Sequence, residues 1–182
     1  NIRTEVLERN ARKYKLPLFY VNHVGAQTEL LFDGGSLVMD RHGHVLDEME
    51  YFAEDFQIYD LEDIKEEKEV RGVTNTRPEI GMIHDALVMG IRNYFSKLGF
   101  TKAILGSSGG IDSAVTAAIA ATALGPENVY NVLMPSRFST DHSVDDAVQL
   151  ANNLSMPYDI ISIEDSFKAY EDILAPHFKG LE

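Results

Sequence analysis

No cysteine occurs anywhere in the sequence. That excludes disulfides, thiolate zinc sites and a cysteine nucleophile, and it fits a reducing, cytoplasmic setting. Long apolar runs are also missing. None approaches the roughly 18 residues of a membrane span, and the opening NIRTEVLERNARKYK is too charged for a secretory signal. Positive charge is scarce: 16 Lys and Arg stand against 29 Asp and Glu, a formal net charge of −13. Phosphate backbones and anionic membranes are met by surplus Lys and Arg, so nucleic acid and membrane are not expected as partners. Part of the acidity is local, with eleven acidic residues against Lys65 and Lys68 between Asp47 and Glu69, the pattern of a solvated face or linker. An initiating methionine is absent as well. The chain starts within a helical pattern and stops at Gly180-Leu181-Glu182 just after another, and it is expected to be a segment of a longer protein.

What is present is enough for one substantial core or two smaller ones: 182 residues, 45% of them hydrophobic. Helical spacing of apolar residues predicts a helix over 3–15, stopped by Pro17. LPLFYVNHV (16–24) reads as a buried strand, and 30–32, 35–40 and 44–47 as short strands, the last two joined by Arg41-His42-Gly43-His44. Residues 1–60 are therefore a helix and an antiparallel meander, and 61–77 an acidic linker. Thr76 and Pro78 suit the start of a helix whose core stripe is Ile83, Leu87, Ile91, Tyr94 or Phe95, and Leu98. From there strand and helix alternate, with strands at 102–105, 129–134 and 158–163 and helices at 111–124, 141–154 and 164–178. Apolar strands with helical crossovers predict an α/β unit over 78–182, a doubly wound parallel sheet covered on both faces.

The first βα turn of that unit is ILGSSGGIDSA (104–114). Ligands of parallel sheets gather where strand ends lead into helix N-termini. Gly106, Gly109 and Gly110 let the backbone turn and be approached closely, and consecutive N–H groups then form an anion nest. Ser107, Ser108 and Ser113 add hydroxyls, with Ile111 the first residue of the helix. Asp112 makes little sense beside a bare phosphate but good sense as a ligand of Mg2+ bound to one. A Walker loop is excluded because no Lys precedes a Ser or Thr, and the dinucleotide fingerprint because its glycine spacing is absent. A purely structural turn, small so that helix and sheet pack closely, is the competing reading.

Ser-Gly-Gly-Ile-Asp-Ser, taken as a unit, resembles the loop of the PP-loop ATP pyrophosphatase superfamily. GSSGGIDSAVTAAIA followed by NVYNVLMPSRFSTDHSVDDAVQLANNL is similar to the synthetase domain of glutamine-dependent NAD synthetases. YVNHVGAQTELLFDGGSLVMDRHG is similar to the end of their nitrilase-type glutaminase domain. The resemblance implies that 78–182 is the first half of a PP-loop domain of the adenine nucleotide α-hydrolase-like type. It implies that 1–60 is the last helix and strands of a nitrilase-like α/β sandwich.

The implied activity is amidation of deamido-NAD to NAD through an adenylated intermediate, with AMP and pyrophosphate released and ammonia drawn from glutamine. ATP and Mg2+ are the implied cofactors, deamido-NAD and glutamine or ammonia the implied partners, and a homo-oligomer the implied assembly. Gly106, Ser107, Ser108, Gly109, Gly110, Ile111, Asp112 and Ser113 would hold the pyrophosphate portion of ATP, and Asp112 the Mg2+. Leu133 and Met134 would flank the adenine. Arg137 would either reach a phosphate or lie exposed at the surface. The Glu-Lys-Cys triad of the glutaminase is not in this chain, so the isolated chain is expected to be inactive. Glu29 and Asp33 could line a glutamine pocket or bond the backbone of their own sheet. His23, His42, His44, His84, His142 and His177 show no metal-ligand spacing. Another PP-loop amidotransferase, or a nucleotide-binding module without catalysis, would carry the same loop.

Overall fold

The computed structural model describes residues 2–66 and 78–179. The chain divides into two compact units, Asn1–Tyr94 and Phe95–Glu182. Thr76, expected as a helix cap, and most of the expected linker lie outside the described residues.

The first unit opens with helix α1 (Ile2–Tyr14), of which only Ala11 is buried. Strands β1 (Leu18–Tyr20), β4 (Leu37–Met39) and β5 (Val45–Glu48) form an antiparallel sheet in the order β1-β4-β5, while β2 (Val24–Gln27) and β3 (Leu30–Asp33) pair separately. The single strand expected over 16–24 is therefore two strands in two sheets. Asn22 causes the break: its N–H donates to the Ser36 hydroxyl, and its amide donates to Asp33 and to the Gly34 carbonyl, so the backbone leaves the ladder there. The predicted turn at Arg41-His42-Gly43-His44 does join β4 to β5. Gly43 holds a φ of +84°, and Asp40 N–H donates to the His44 carbonyl at 3.0 Å.

The acidic stretch begins with a short helix, α2 (Leu61–Lys65), capped by the Asp60 side chain. Its Ile64 is buried against Val38 and Leu46, with Tyr59 packed alongside, so α2 is fastened to the β4–β5 hairpin. Helix α3 (Glu79–Leu98) buries Val88 and Met89. The same side meets β2 and β3, where Asn93, one turn beyond Met89, accepts from the Ala26 N–H. The stripe expected to be core is only partly covered: Ile83, Leu87, Tyr94 and Leu98 are exposed, while Ile91 and Phe95 are half-buried. The helix is apolar over a wide arc, and among the described residues β2 and β3 cover the side that carries Asn93.

The second unit is the expected alternation: β6 (Ala103–Gly106), α4 (Ile111–Leu124), β7 (Val129–Leu133), α5 (Asp141–Asn153), β8 (Tyr158–Ile160) and α6 (Glu164–Leu174). The strands are parallel in the order β6-β7-β8, with Leu105 opposite Asn131 and Asn131 opposite Tyr158. This is the α/β class with a parallel sheet that the sequence predicts. Ala117, Ala120 and Ala121 of α4 pack on Val129 and Met156, joined by Leu150 and Leu154 from the α5 side. Strands added consecutively in one direction with crossovers of one hand place their helices on the same face. Among the described residues that is the observed cover, and Ile104 on the opposite face is 78% exposed.

Candidate functional site

Strand β6 ends at Gly106, and residues 107–110 lead into α4. Gly109 adopts a φ of +78°, and a β-carbon there would lie 2.1 Å from the Ser143 carbonyl oxygen. Only glycine can bring this turn so close to the first turn of α5. Gly110 then starts α4 without any side-chain cap. Helix α5 is capped by its own Thr140, whose hydroxyl accepts the Ser143 N–H at 3.2 Å. Of the two helix starts that meet here, α4 keeps its N-terminal donors uncapped.

The donors divide clearly. Ser107 donates its N–H to the Val132 carbonyl at 3.0 Å and its hydroxyl to Asn131 Oδ1 at 2.9 Å. Both its donors are engaged within the sheet. Ser108 N–H lies 3.3 Å from Ser113 Oγ, Gly110 N–H donates to Ser108 Oγ at 3.2 Å, and the Ser113 hydroxyl donates to the Gly110 carbonyl at 2.9 Å. The first bond of α4 runs from Ala114 N–H to Gly110. The N–H groups of Ile111, Asp112 and Ser113 therefore precede it and face outward with the positive end of the helix dipole. The serines shape the turn, and the main chain of 111–113 presents N–H groups at a helix start, where anions are favoured in general.

Asn131 was not legible as a site residue. It is 1% exposed in the middle of β7, and a polar side chain inside an otherwise apolar buried strand was the available signal. Ser143 was missed because its part is played by the backbone.

Two cavities flank the turn. One of about 240 Å3 lies between the loop and α5, with Gly109, Gly110, Ser113, Asp146, Gln149 and Asn153 in its wall. The other, of about 140 Å3, lies at the end of β7, with Ser107, Ser108, Leu133, Met134, Pro135 and Ser139 in its wall. Leu133 and Met134 thus share a cavity wall with the loop residues Ser107 and Ser108. The Leu133 carbonyl already accepts from Ile161 N–H at 2.8 Å, whereas Met134 is half exposed.

Arg137 is turned towards α6. Its Nε donates to Glu164 Oε1 at 2.6 Å and its N–H to Oε2 at 2.9 Å. Glu171 pairs with it at 3.3 Å, and the guanidinium lies over the Phe167 ring. The hydrogen bond to Glu164 raises the Arg137 pKa above its ordinary value, and that from Arg137 lowers the Glu164 carboxyl. A phosphate would have to displace two carboxylates to recruit this cation.

Asp112 is exposed in the first turn of α4. Among the described residues no three His, Cys, Asp or Glu side chains gather as a metal set. One carboxylate in that turn fits Mg2+, which takes most of its shell from phosphate and water; it does not fit an all-protein cage. Asp33 bonds side chains rather than the backbone of its sheet. Arg3 Nη2 lies 2.6 Å from both carboxylate oxygens and Asn22 Nδ2 2.8 Å from one. Burial lowers the Arg3 pKa, but the hydrogen bond and charge of Asp33 outweigh it and hold the pKa above the ordinary value. Glu29 is exposed at the β2–β3 turn.

The profile of the NAD synthase family matches residues 83–181. The glutamine-dependent NAD(+) synthetase of Synechocystis is 41% identical over 98% of this chain, which covers 32% of that protein. The enzyme of the same name from Thermotoga maritima is 36% identical over 100% of the chain, which covers 37% of it. A solved structure of glutamine-dependent NAD+ synthetase from Acinetobacter baumannii, in complex with ADP, superposes over 100% of the chain and 34% of its own length. Its TM-score is 0.92 and its sequence identity 34%. The chain spans about a third of the length of these relatives.

Proposed function

The chain belongs to the NAD synthase family, and on that premise we propose that it carries the ATP-binding loop of a glutamine-dependent NAD synthetase. The observation carrying this reading is the uncapped start of α4 at Gly110, which leaves the N–H groups of Ile111, Asp112 and Ser113 to receive an anion. ADP in the Acinetobacter relative supports an adenine nucleotide as that anion. In the reaction we propose, the carboxylate of deamido-NAD attacks the α-phosphorus of ATP, the α–β bridging P–O bond breaks and pyrophosphate leaves. Ammonia then attacks the acyl carbon, a proton is lost, and AMP departs with the former carboxylate oxygen to leave the amide. The cradle meets the negative charge that grows on the departing pyrophosphate, with preformed main-chain donors. Asp112 would hold Mg2+, which when bound neutralises phosphate charge.

Leu133 and Met134 border the cavity we assign to the adenine side. Arg137 is left out of the phosphate set because Glu164 and Glu171 hold it. Having no cysteine, this chain supplies no nucleophile for releasing ammonia from glutamine by the triad route. The homo-oligomer and the cytoplasmic setting belong to the same reading of the whole enzyme. Calorimetric titration of the chain with Mg·ATP tests the loop, the expected result being binding that Gly109→Val and Asp112→Ala both weaken. Equal affinity in wild type and both variants would overturn it.

A further inference from the structure

The six methionines of the chain all lie among the described residues, and they differ sharply in access. Met39, Met89 and Met156 are buried, Met49 and Met82 are half-buried, and Met134 is 48% exposed. The end of β7 explains the difference. Val129, Asn131 and Leu133 are turned into the core, so the alternation of the strand sends Met134 the other way. Its side chain ends over the last residue of β6, where a β-carbon at Gly106 would lie 3.2 Å from Met134 Cε. The same residue stands in the wall of the 140 Å3 cavity, beside Leu133, Pro135, Ser107 and Ser108.

With no cysteine in the chain, thioether sulfur is the group most readily oxidised, and access decides which sulfur reacts. Met156 is closed off in the core, its sulfur 3.6 Å from Asn131 Nδ2. Among the described residues no hydrogen-bond donor meets the sulfur of Met134. We propose that Met134 is a site of reversible oxidation by peroxide and that its sulfoxide weakens nucleotide binding at the turn. A sulfur lone pair attacks one peroxide oxygen, and the S–O bond forms as the O–O bond breaks. The departing hydroxide takes up the proton and leaves as water, so sulfur is oxidised and the peroxide reduced. A flexible apolar side chain thereby becomes polar. Its new oxygen must shed water when a purine ring covers that wall, and the apolar neighbours Leu133 and Pro135 offer it no hydrogen bond in return. The consequence for binding rests on the ATP reading above; the selectivity of the oxidation does not.

The test treats the chain with dilute hydrogen peroxide, with and without saturating Mg·ATP, and locates the added oxygen by peptide mass mapping. Met134 should be oxidised before Met49 and Met82, and Mg·ATP should slow its oxidation. Calorimetry of the chain oxidised at Met134 should show Mg·ATP affinity reduced about fivefold. Methionine sulfoxide reductases acting on both epimers should restore it. Met134→Leu should give one affinity before and after peroxide. Oxidation falling first on another methionine would overturn the site. Unchanged affinity after oxidation of Met134, or an equal loss in Met134→Leu, would overturn its consequence. An untreated chain that does not bind Mg·ATP would overturn the nucleotide reading instead, and this consequence with it.

Discussion

Gly109 and Ser143 touch main chain to main chain, with a β-carbon at Gly109 placed 2.1 Å from the Ser143 carbonyl oxygen. The loop after β6 is therefore shaped by the start of α5 as much as by its own residues. Gly109→Val combines a backbone collision with a left-handed φ that a β-branched residue resists. It is expected to weaken Mg·ATP binding about tenfold or more, equivalent to at least about 1.4 kcal/mol. Calorimetry measures the affinity, and a thermal melt shows whether the fold persists.

Asp112 is expected to couple ATP binding to Mg2+. Wild-type affinity should fall when EDTA removes the metal, whereas Asp112→Asn should show the same affinity with and without Mg2+. A variant that keeps the full dependence on Mg2+ would move the metal to other residues.

Asn131 anchors Ser107 from inside the sheet. Asn131→Ala leaves the Ser107 hydroxyl without its acceptor and should cost about 1–3 kcal/mol in urea unfolding. Ser107→Ala should cost less, and the double variant should fall short of the sum, as expected for groups in direct contact. Additive losses would mean that the two side chains do not support each other.

Arg137→Ala should change Mg·ATP affinity by less than about twofold, because the guanidinium is turned to Glu164 and Glu171 of α6. The same calorimetric titration measures it. A tenfold loss would return Arg137 to the phosphate set.

Asp40 gives a pH dependence with a definite sign. Burial pushes its pKa up, but the hydrogen bonds from His44 and His42 outweigh burial and hold it below the ordinary 3.8. A carboxyl with a depressed folded pKa contributes stability that is present above its unfolded pKa and is lost as pH falls through the folded one. Unfolding free energy should drop below about pH 4. Asp40→Asn should be less stable by about 1–3 kcal/mol at pH 7, a gap that narrows in acid. Denaturation curves between pH 7 and 3 measure both.

Much of the second unit was legible. Strand–helix alternation, the turn at 107–110 and the start of α4 all follow local pattern, and the structure places α4 at Ile111–Leu124, where the sequence predicts it. Legibility failed where the deciding group lies far along the chain. Asn22 breaks the expected strand because Ser36 and Asp33 wait for its backbone and amide. Arg137 was readable as a cation but not as the partner of Glu164, which stands 27 residues later. The stripe on α3 was read from periodicity, and periodicity reports an apolar side without saying what covers it. Asn131 and Ser107 are 24 residues apart, a pairing that only the parallel register reveals.

Ala117, Ala120, Ala121 and Ala123 are the buried side chains of α4. Three of them, Ala117, Ala120 and Ala121, pack against the sheet and act as a spacing gauge, since their methyl groups set how near the helix axis can lie to it. The helix is also a lever: Ala120 is about 13 Å along the axis from Ile111 at 1.5 Å per residue. A larger side chain at Ala120 would lift one end and swing the other. The direction in which the loop's donors point is therefore set partly by residues that no ligand touches.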